Sequence, residues 1–531
     1  MASSAVFLLL LLVPLFPVVL AISKFDCNVD LTNSTLLAQK DINSSWVSPS
    51  GDFAFGFQQA EPSNDGNMLF LLAIWFDKIP DKTIVWSANG VPTREGSKVK
   101  LTKDGGLQLF DHQGNVIWTA ATNVTGSESS CAAMLDTGNF VVLNGDSNPT
   151  WESFKDPHDT ILPGQILGTN QKLWSRLSET NYSDGRFQLR MQDDGNLVLY
   201  VVSVPYQVNY GAYWAAGISH ANSNPQLTFD ESGRYIYVKQ GNRNVYNFTQ
   251  KNMGSKQGFY HMARIDFDGV FRLYNHPRRT GAASDGSCSL SWSVVQHIPD
   301  DVCSVIQGNL GSGACGYNSY CSVDANGKPE CFCPEGYSPM DRLDIQNGCK
   351  PNFPLPNCQE DGWEMNPELI EFKELKNTDW PLGDYDLRTG PELDKETCIQ
   401  FCLDDCFCAA VVYDGNLCYK KKFPLSNGVK TKNLNRTFLM KSSAEFGMEN
   451  QVQALVDWAY DCYCKRKLDE LVKNDEEAIS DMKRVERLVM VAIWCTQEDP
   501  SIRPSMRKIT QMLEGVLEVS VPPRPSIFSA S

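Results

Sequence analysis

Short runs of alternating apolar and polar residues fill the chain from about residue 23 to residue 275, and Gly, Asn and Asp separate them. One phrase recurs, in three close copies and a looser fourth: Thr102–Phe110 (TKDGGLQLF), Leu135–Leu143 (LDTGNFVVL), Gln192–Tyr200 (QDDGNLVLY) and Asp266–Tyr274 (DFDGVFRLY). Turn residues followed by alternating apolar positions predict a turn that leads into a half-buried strand. The repetition predicts quasi-symmetric strands around a shared core, divided near Pro149 into two similar β regions.

The pattern changes after residue 300. Residues 300–351 contain six cysteines, many glycines and little apolar sequence, so we expect disulfides to hold this segment together. Residues 353–441 contain a second cysteine cluster, in which Cys398 and Cys402 lie one helical turn apart on one face.

After residue 449 the apolar positions take helical spacing, which predicts two amphipathic helices. The first set is Val485, Leu488, Val489, Ala492 and Ile493, and the second is Met506, Ile509, Met512, Leu513 and Val516.

The chain opens with an uncharged apolar run from Ala5 to Ile22. Val19-Leu20-Ala21 fits a signal-peptide cleavage site, so residues 1–21 are expected to be a signal peptide. An uncleaved anchor helix is the alternative, since a run of this length just spans a bilayer. Pro14 and Pro17 within the run favour cleavage. No later apolar run is long enough to cross a membrane.

Composition and cysteine usage indicate the compartment. Thirteen of the 18 cysteines fall between Cys288 and Cys418, a density typical of disulfides in an oxidising, extracellular space. A zinc site is the rival interpretation of these thiols, and secretion argues against it. The net charge of -16 argues against a nucleic-acid partner. Six N-glycosylation motifs all precede residue 440: Asn33, Asn43, Asn123, Asn181, Asn247 and Asn435.

The most specific candidate site is the copy Gln192-x-Asp194-x-Asn196-x-Val198-x-Tyr200. Side chains alternate along a strand, so these five point to one face, while Leu197 and Leu199 anchor the strand in the core. Amide, carboxylate and phenol groups suit the hydroxyls of a hexopyranose, and Val198 suits its C–H edge. The alternative is an ordinary turn and strand with solvated polar residues.

These five residues match the mannose-binding motif of bulb-type lectins at every position. The resemblance implies that Gln192, Asp194, Asn196 and Tyr200 hydrogen-bond the sugar while Val198 packs on its ring. It also implies a β-prism of three four-stranded sheets. The other copies are degenerate, so at most one site survives, with a Kd of about 1 mM. The departures are Leu135, Thr137 and Leu143 in one copy and Thr102, Gly106 and Gln108 in another.

A wider resemblance joins the chain to the plant G-type lectin S-receptor-like serine/threonine kinases. It rests on Val85–Asn89, Trp151–Phe154 and Asp159–Gln165, which look like conserved blocks of that family's lectin region. The resemblance implies an EGF-like module paired Cys303–Cys321, Cys315–Cys331 and Cys333–Cys349, and a PAN/apple module paired Cys398–Cys418 and Cys402–Cys408. The partners of five cysteines stay open: Cys27, Cys131, Cys288, Cys358 and Cys406.

The expected fold is therefore mainly β, with two tandem bulb-type lectin prisms, two small disulfide-rich modules and a short helical segment. The expected boundaries are a signal peptide at 1–21, lectin domains at 22–148 and 149–298, an EGF-like module at 299–351, a PAN/apple module at 353–441 and a kinase C-lobe remnant at 449–531.

In the resembling family a transmembrane helix and a complete kinase domain follow the PAN module. Here residues 457–461 and Pro500–Pro504 look like parts of a kinase C-lobe, but no H-R-D, D-F-G or A-P-E is present. Gly311–Gly316 fits G-x-G-x-x-G only formally, since it lies inside the disulfide module. We therefore expect no phosphoryl transfer, no catalytic residues, no bound metal and no cofactor, with ATP relevant only to a form that has the kinase region.

The predicted function is recognition of mannose-type glycans or glycoproteins, or of a protein partner, in the secretory pathway or at the cell surface. Full-length receptor relatives are possible partners through the PAN and EGF-like modules. One alternative is a membrane receptor kinase whose central region is missing from this chain. Another is an inert product, because helices without their lobe, together with Cys462, Cys464 and Cys495 in an oxidising lumen, invite misfolding.

Overall fold

A computed structural model describes most of the chain. The described residues are 27–31, 34–40, 44–60, 66–103, 106–120, 129–203, 208–218, 224–249, 254–278, 291–306, 312–324, 327–340, 345–352, 358, 370–391, 393–432, 434–443, 459–460, 462–465, 467–473, 476–497 and 503–523. They form two compact units, Met1–Ala314 with Ser322–Glu330 and Cys315–Cys321 with Cys331–Ser531. The predicted signal peptide lies outside the described residues.

The first lectin region consists of three antiparallel sheets. Its strands are β1 (Val29–Asp30), β2 (Thr35–Leu37), β3 (Ser45–Val47), β4 (Phe53–Ala60), β5 (Leu69–Phe76), β6 (Ile84–Ser87), β7 (Thr93–Arg94), β8 (Lys98–Thr102), β9 (Gly106–Phe110), β10 (Val116–Thr119), β11 (Ser129–Met134), β12 (Phe140–Asn144) and β13 (Pro149–Glu152). The strand orders are β1-β11-β12-β13, β10-β9-β8-β2 and β3-β4-β5-β6, with β7 beside β5.

Aromatic side chains fill the space between these three sheets. Phe55 stacks on Phe140 with ring centroids 4.2 Å apart, and Trp86, Trp118 and Trp151 pack edge to face. Trp151 lies on β13, which pairs with β12. The last strand of this sheet, β13, thus consists of residues that follow the predicted boundary at 148.

The second lectin region repeats the arrangement with three four-stranded sheets. A 3-10 turn (Ser153–Lys155) precedes it. Its strands are β14 (Thr160–Ile161), β15 (Ile166–Leu167), β16 (Lys172–Arg176), β17 (Asp184–Met191), β18 (Leu197–Val202), β19 (Asn209–Ala215), β20 (Gln226–Phe229), β21 (Ile236–Gln240), β22 (Arg243–Asn247), β23 (Phe259–Ile265), β24 (Phe271–Pro277) and β25 (Ser293–Ile298). The orders β14-β23-β24-β25, β15-β20-β21-β22 and β16-β17-β18-β19 confirm the predicted prism.

Two arginines of the second lectin region connect it to the first. The carboxylate of Asp159 accepts a 2.6 Å hydrogen bond from Arg176 Nε. Arg176 and Arg264 both donate to the Ile84 carbonyl of the first region, at 3.2 and 2.6 Å. The two guanidinium groups lower the pKa of buried Asp159 to about 2 against the opposing effect of burial. The charged carboxylate is thereby part of the joint between the regions.

The EGF-like segment contains α1 (Val302–Val305) and the strands β26 (Tyr320–Val323), β27 (Pro329–Phe332), β28 (Tyr337–Pro339) and β29 (Cys349–Pro351), with a 3-10 turn at Ile345–Asn347. The predicted pairs Cys315–Cys331 and Cys333–Cys349 are confirmed. Cys303 and Cys321 are also disulfide-bonded.

The PAN-like segment combines one helix with a five-stranded sheet of order β30-β36-β33-β34-β32. The elements are β30 (Ile370–Lys376), β31 (Thr378–Asp379), β32 (Asp384–Thr389), α2 (Lys395–Leu403), β33 (Ala410–Tyr413), β34 (Leu417–Lys421), β35 (Gly428–Lys430) and β36 (Thr437–Ser443). The pairs Cys398–Cys418 and Cys402–Cys408 are confirmed. Two further disulfides, whose partners the sequence left open, are Cys27–Cys131 and Cys358–Cys406.

The C-terminal segment is helical, as its periodicity predicts. After a 3-10 turn (Leu468–Glu470), its helices are α3 (Glu476–Ser480), α4 (Met482–Cys495) and α5 (Met506–Leu513). Val485 and Ile493 are buried, but Leu488 and Met506 are 48% and 74% exposed. The apolar faces are thus only partly covered. In the part of the chain that the structure describes, no helix is long and apolar enough to cross a membrane.

Candidate functional site

The motif Gln192–Tyr200 occupies a hairpin made by β17 and β18. Met191 lies opposite Leu197 and Leu189 lies opposite Leu199, and all four of these side chains are fully buried. The alternation that the sequence predicts therefore anchors one face of the hairpin in the core. The other face carries the motif.

The turn at the tip of this hairpin depends on Gly195. Its N–H donates to the Gln192 carbonyl at 3.2 Å, and the Gln192 N–H donates to the Asn196 carbonyl at 2.9 Å. Gly195 has a φ of 92°, in the left-handed region that glycine adopts without steric cost. The turn places Asp194 and Asn196 on either side of it.

Four polar side chains of the motif gather at this tip. Gln192 Nε2 donates a hydrogen bond to the phenol oxygen of Tyr200, and both side chains are half-buried. Asp194 Oδ1 accepts the Asn196 N–H at 2.9 Å. Asn196 Oδ1 accepts the backbone N–H of Ile218 at 3.3 Å. Each side chain is held by one hydrogen bond, and each keeps polar atoms that these bonds do not use.

Val198 lies in the same row but is only 3% exposed. It sits opposite Arg190 on β17 and Ala215 on β19. The guanidinium of Arg190 is tied to Asn170 Oδ1 at 3.0 Å. A sugar ring would contact Val198 only after neighbouring side chains shifted. The burial of Val198 depends on the adjacent strands, so the sequence pattern did not predict it.

The copy Asp266–Tyr274 is closed by an ion-pair network. Arg272 stands at the position of Val198 and donates to both oxygens of Asp268 at 2.8 Å. It also donates to Asp266 at 2.7 Å and to the Gly327 carbonyl at 3.1 Å. Tyr274, at the position of Tyr200, donates to Asp266 at 2.6 Å. Burial and the Asp266 carboxylate raise the pKa of the Tyr274 phenol. This copy holds a neighbouring hairpin and has no open polar face.

The copy Leu135–Leu143 is likewise engaged. Asn139, the counterpart of Asn196, donates to Glu152 Oε2 at 3.1 Å. Its Oδ1 accepts hydrogen bonds from the Ser153 hydroxyl and the Phe154 N–H, each at 3.1 Å. The amide at this motif position therefore holds the connection between the two lectin regions.

Other predicted positions fall on the surface or in disulfides. Asn181, Asn247 and Asn435 are exposed, as glycosylation requires, whereas Asn33, Asn43 and Asn123 lie outside the described residues. The cysteines of the two modules are paired with one another rather than held as thiols. Among the described residues, no cluster of His, Cys, Asp and Glu is arranged to hold a metal ion.

Part of the two lectin regions matches the sequence model of a known family. Residues 83–176 match the sequence model of the family described as D-mannose binding lectin. The match runs across the joint between the two lectin regions and ends before Gln192. The family match therefore does not include the motif hairpin.

Two plant proteins illustrate the similarity over a longer range. G-type lectin S-receptor-like serine/threonine-protein kinase LECRK2 of Oryza sativa subsp. indica is 40% identical over 429 residues, which cover 78% of this chain and 51% of that relative. The kinase RLK1 of Arabidopsis thaliana, of the same description, is 39% identical over 416 residues, covering 75% of this chain and 48% of the relative. The chain spans about half the length of these curated relatives.

Among solved structures, a monomeric monocot mannose-binding lectin from Gastrodia elata is 24% identical. It covers 22% of this chain, this chain covers 87% of it, and the TM-score is 0.17.

Proposed function

Because this chain is related over 78% of its length to plant G-type lectin S-receptor-like serine/threonine kinases, as its motifs predict, we propose that it recognises mannose-type glycans. The site is the hairpin face formed by Gln192, Asp194, Asn196 and Tyr200. One observation carries this proposal: these four side chains are positioned by mutual and backbone hydrogen bonds that leave complementary donors and acceptors unused.

The arrangement matches the chemistry of two neighbouring sugar hydroxyls. Tyr200 accepts from Gln192, so its own O–H is available to a sugar oxygen. Asn196 uses its carbonyl oxygen on Ile218, which leaves its Nδ2 as a donor. Asp194 uses Oδ1 on Asn196, which leaves Oδ2 as an acceptor. A hydroxyl both donates and accepts, so a vicinal diol satisfies such a set.

The expected affinity is low, because four solvent-facing hydrogen bonds gain little over water. A Kd of about 1 mM corresponds to about -4 kcal/mol. Useful binding therefore requires several sugars or several copies of the protein, since linked weak sites gain affinity through effective concentration.

The test is titration of the secreted chain with methyl α-mannoside and with methyl α-glucoside, beside the variants Asp194→Ala and Asn196→Ala. We expect binding of the mannoside by the wild-type chain and at least tenfold weaker binding by both variants. Equal binding by the variants, or none by a folded wild-type chain, would reject this hairpin as a sugar site.

We infer further that the chain acts outside the cell or at its surface as a recognition protein without kinase activity or a cofactor. Its disulfide-rich modules suit an oxidising compartment. Association with full-length receptor relatives through the EGF-like and PAN-like segments would let it regulate them. Co-precipitation of the secreted chain with a co-expressed full-length receptor tests this role, and a PAN-deleted receptor serves as the control.

A receptor kinase is the second candidate function, and the similarity to receptor kinases favours it. In that case the messenger RNA carries additional sequence between the codons for residues 446 and 449. An apolar stretch of about 20 residues followed by kinase motifs would establish it. A transcript without such an insertion would reject the receptor kinase and favour the recognition protein.

A further inference from the structure

The outer face of sheet β10-β9-β8-β2 carries a different set of side chains from the mannose-type hairpin. The inward residues Leu36, Val99, Leu101, Leu107 and Leu109 are all buried in the core. Strand alternation therefore points the residues between them to solvent. Its two central strands contain Thr102 and Gly106–Phe110 of the degenerate copy, whose mannose pattern is lost.

The first row across this face is polar and cationic. Thr35 lies opposite Lys100, Lys100 lies opposite Gln108, and Thr119 lies opposite Gln108. Directly opposite residues have Cβ atoms about 4.5–5.5 Å apart. Lys100 is exposed and Gln108 half-buried. Neither side chain has a hydrogen-bond or ion-pair partner among the residues that the structure describes.

The second row combines a cation with apolar surface. Leu37 lies opposite Lys98, Lys98 lies opposite Phe110, and Phe110 lies opposite Val116. The Lys98 ammonium stands 5.5 Å above the centroid of the half-buried Phe110 ring. We call the central four residues, Lys98, Lys100, Gln108 and Phe110, the lysine face.

The carboxylate nearest in sequence, Asp111, makes its hydrogen bonds within its own loop and not with Lys98 or Lys100. Asp111 turns its oxygens to its own loop, where they accept hydrogen bonds from the Gln113 N–H at 2.9 Å and the Asn115 N–H at 2.8 Å. The lysine face is thus a positive surface on a chain whose net charge is -16. Charge of this sign favours an anionic ligand.

We propose that the lysine face binds an acidic, uronate-containing oligosaccharide. Lys98 and Lys100 lie two residues apart on one strand, about 7 Å apart at their Cα atoms, so each ammonium pairs with a separate carboxylate of the ligand. The Gln108 amide meets a ring hydroxyl as donor or acceptor. Phe110 offers an aromatic surface to the sugar C–H edge. This site is independent of the mannose-type site, because it lies in the other lectin region and uses none of its residues.

The test is titration calorimetry of the full secreted chain with tetragalacturonate. Two exposed ion pairs contribute modestly, so the double variant Lys98→Gln/Lys100→Gln is expected to weaken binding about five- to tenfold. Raising the ionic strength from about 0.02 to 0.15 M shortens the screening length, and it should weaken wild-type binding in the same direction. Phe110→Leu is expected to weaken binding severalfold without changing this salt dependence.

Two controls separate a site from general charge attraction. The variant Lys239→Gln/Lys432→Gln removes the same charge at other surfaces and should bind as the wild type does. Fully methyl-esterified tetragalacturonate, which lacks the carboxylates, should bind at least fivefold more weakly. Retention of mannoside binding by the Lys98→Gln/Lys100→Gln variant would show that the variant is folded and would separate this proposal from the first.

Several results would overturn the proposal. One is equal affinity for the methyl ester and the acid. Another is an equal loss of affinity in the Lys98→Gln/Lys100→Gln variant and the control variant. The third is that the wild-type chain does not bind tetragalacturonate at several millimolar. Binding of phosphatidylserine vesicles through Lys98 and Lys100, with no binding of the oligosaccharide, would assign the face to a membrane surface instead. Concentration-dependent dimerisation that the double variant abolishes would assign it to a second copy of the chain.

Discussion

Arg272 donates two hydrogen bonds of 2.8 Å to the carboxylate of Asp268. It occupies the position that Val198 has in the motif 192–200. This copy differs from the motif at three of its five positions, where Asp266, Val270 and Arg272 replace Gln192, Asn196 and Val198. The replacements form an internal joint on the same kind of hairpin. The same backbone turn serves both purposes. Where this copy departs from the motif, the new side chains make contacts that hold the fold together.

Replacing Arg272 by Met should destabilise the fold strongly. The guanidinium is buried, and its removal leaves the Asp266 and Asp268 carboxylates without their cation, which costs about 3–5 kcal/mol. Chemical denaturation followed by tryptophan fluorescence measures the change. The exposed Arg234→Met is the control and should change stability by less than about 0.5 kcal/mol. Adding Asp268→Leu to Arg272→Met should recover part of the loss, and no recovery would contradict this account.

Replacing Tyr200 by Phe should weaken mannoside binding without affecting folding. The variant loses the hydroxyl that donates to the sugar and that accepts the hydrogen bond from Gln192 Nε2. The lost sugar contact is worth about 0.5–1.5 kcal/mol, or roughly two- to tenfold in affinity. Titration with methyl α-mannoside gives the value. Tyr235, an exposed tyrosine just before β21, supplies the matched control Tyr235→Phe. Unchanged affinity in Tyr200→Phe would show that this phenol does not contact the sugar.

Replacing Gly195 by Ala should disturb both the turn and the site. A Cβ at a φ of 92° costs about 1–2 kcal/mol, and relaxation of the turn would move Asp194 and Asn196 apart. We therefore expect lower stability together with weaker mannoside binding. Gly145→Ala is the control, because its Cβ would meet no atom within 4 Å and its φ is not positive. Wild-type affinity in Gly195→Ala would show that the turn does not position the ligand groups.

Acid should destabilise the second lectin region through His261. Its ring is buried, and burial lowers its pKa from 6.5 to about 4, although interaction with the Ser255 backbone opposes this shift. Between these two values the unfolded chain binds a proton that the folded chain does not. The contribution of neutral His261 to the free energy of unfolding is therefore fully present above pH 6.5. It falls as the pH drops towards 4, by at most about 3 kcal/mol.

The variant His261→Leu separates this effect from the titration of carboxylates. Leucine fills the apolar site and cannot take up a proton, so the slope of unfolding free energy against pH should flatten between pH 4 and 6.5. Denaturation midpoints measured in that range provide the comparison. An unchanged slope would exclude His261 as its source.

Much of the architecture follows from patterns within short stretches of chain. The recurring turn-and-strand phrase is sufficient to predict hairpins, because a glycine turn and alternating apolar residues are local features. The family resemblance likewise predicted four disulfides that the structure confirms. Helical spacing predicted α4 and α5, although Leu488 of the expected apolar face is nearly half exposed. The Cys27–Cys131 and Cys358–Cys406 pairs were beyond such reasoning, since a single sequence contains no record of which distant cysteines meet.

The state of each motif copy depended on packing between distant segments. The sequence alone predicted Gln192, Asp194, Asn196 and Tyr200 as a sugar-binding set, because they lie within nine positions and match a known lectin motif. That assignment stays a prediction. Only the folded chain determines that Val198 is covered, that Arg272 reaches Gly327, and that Lys98 faces Phe110. Those relationships are set by sheet register and by neighbouring loops, which bring together residues that no local pattern connects.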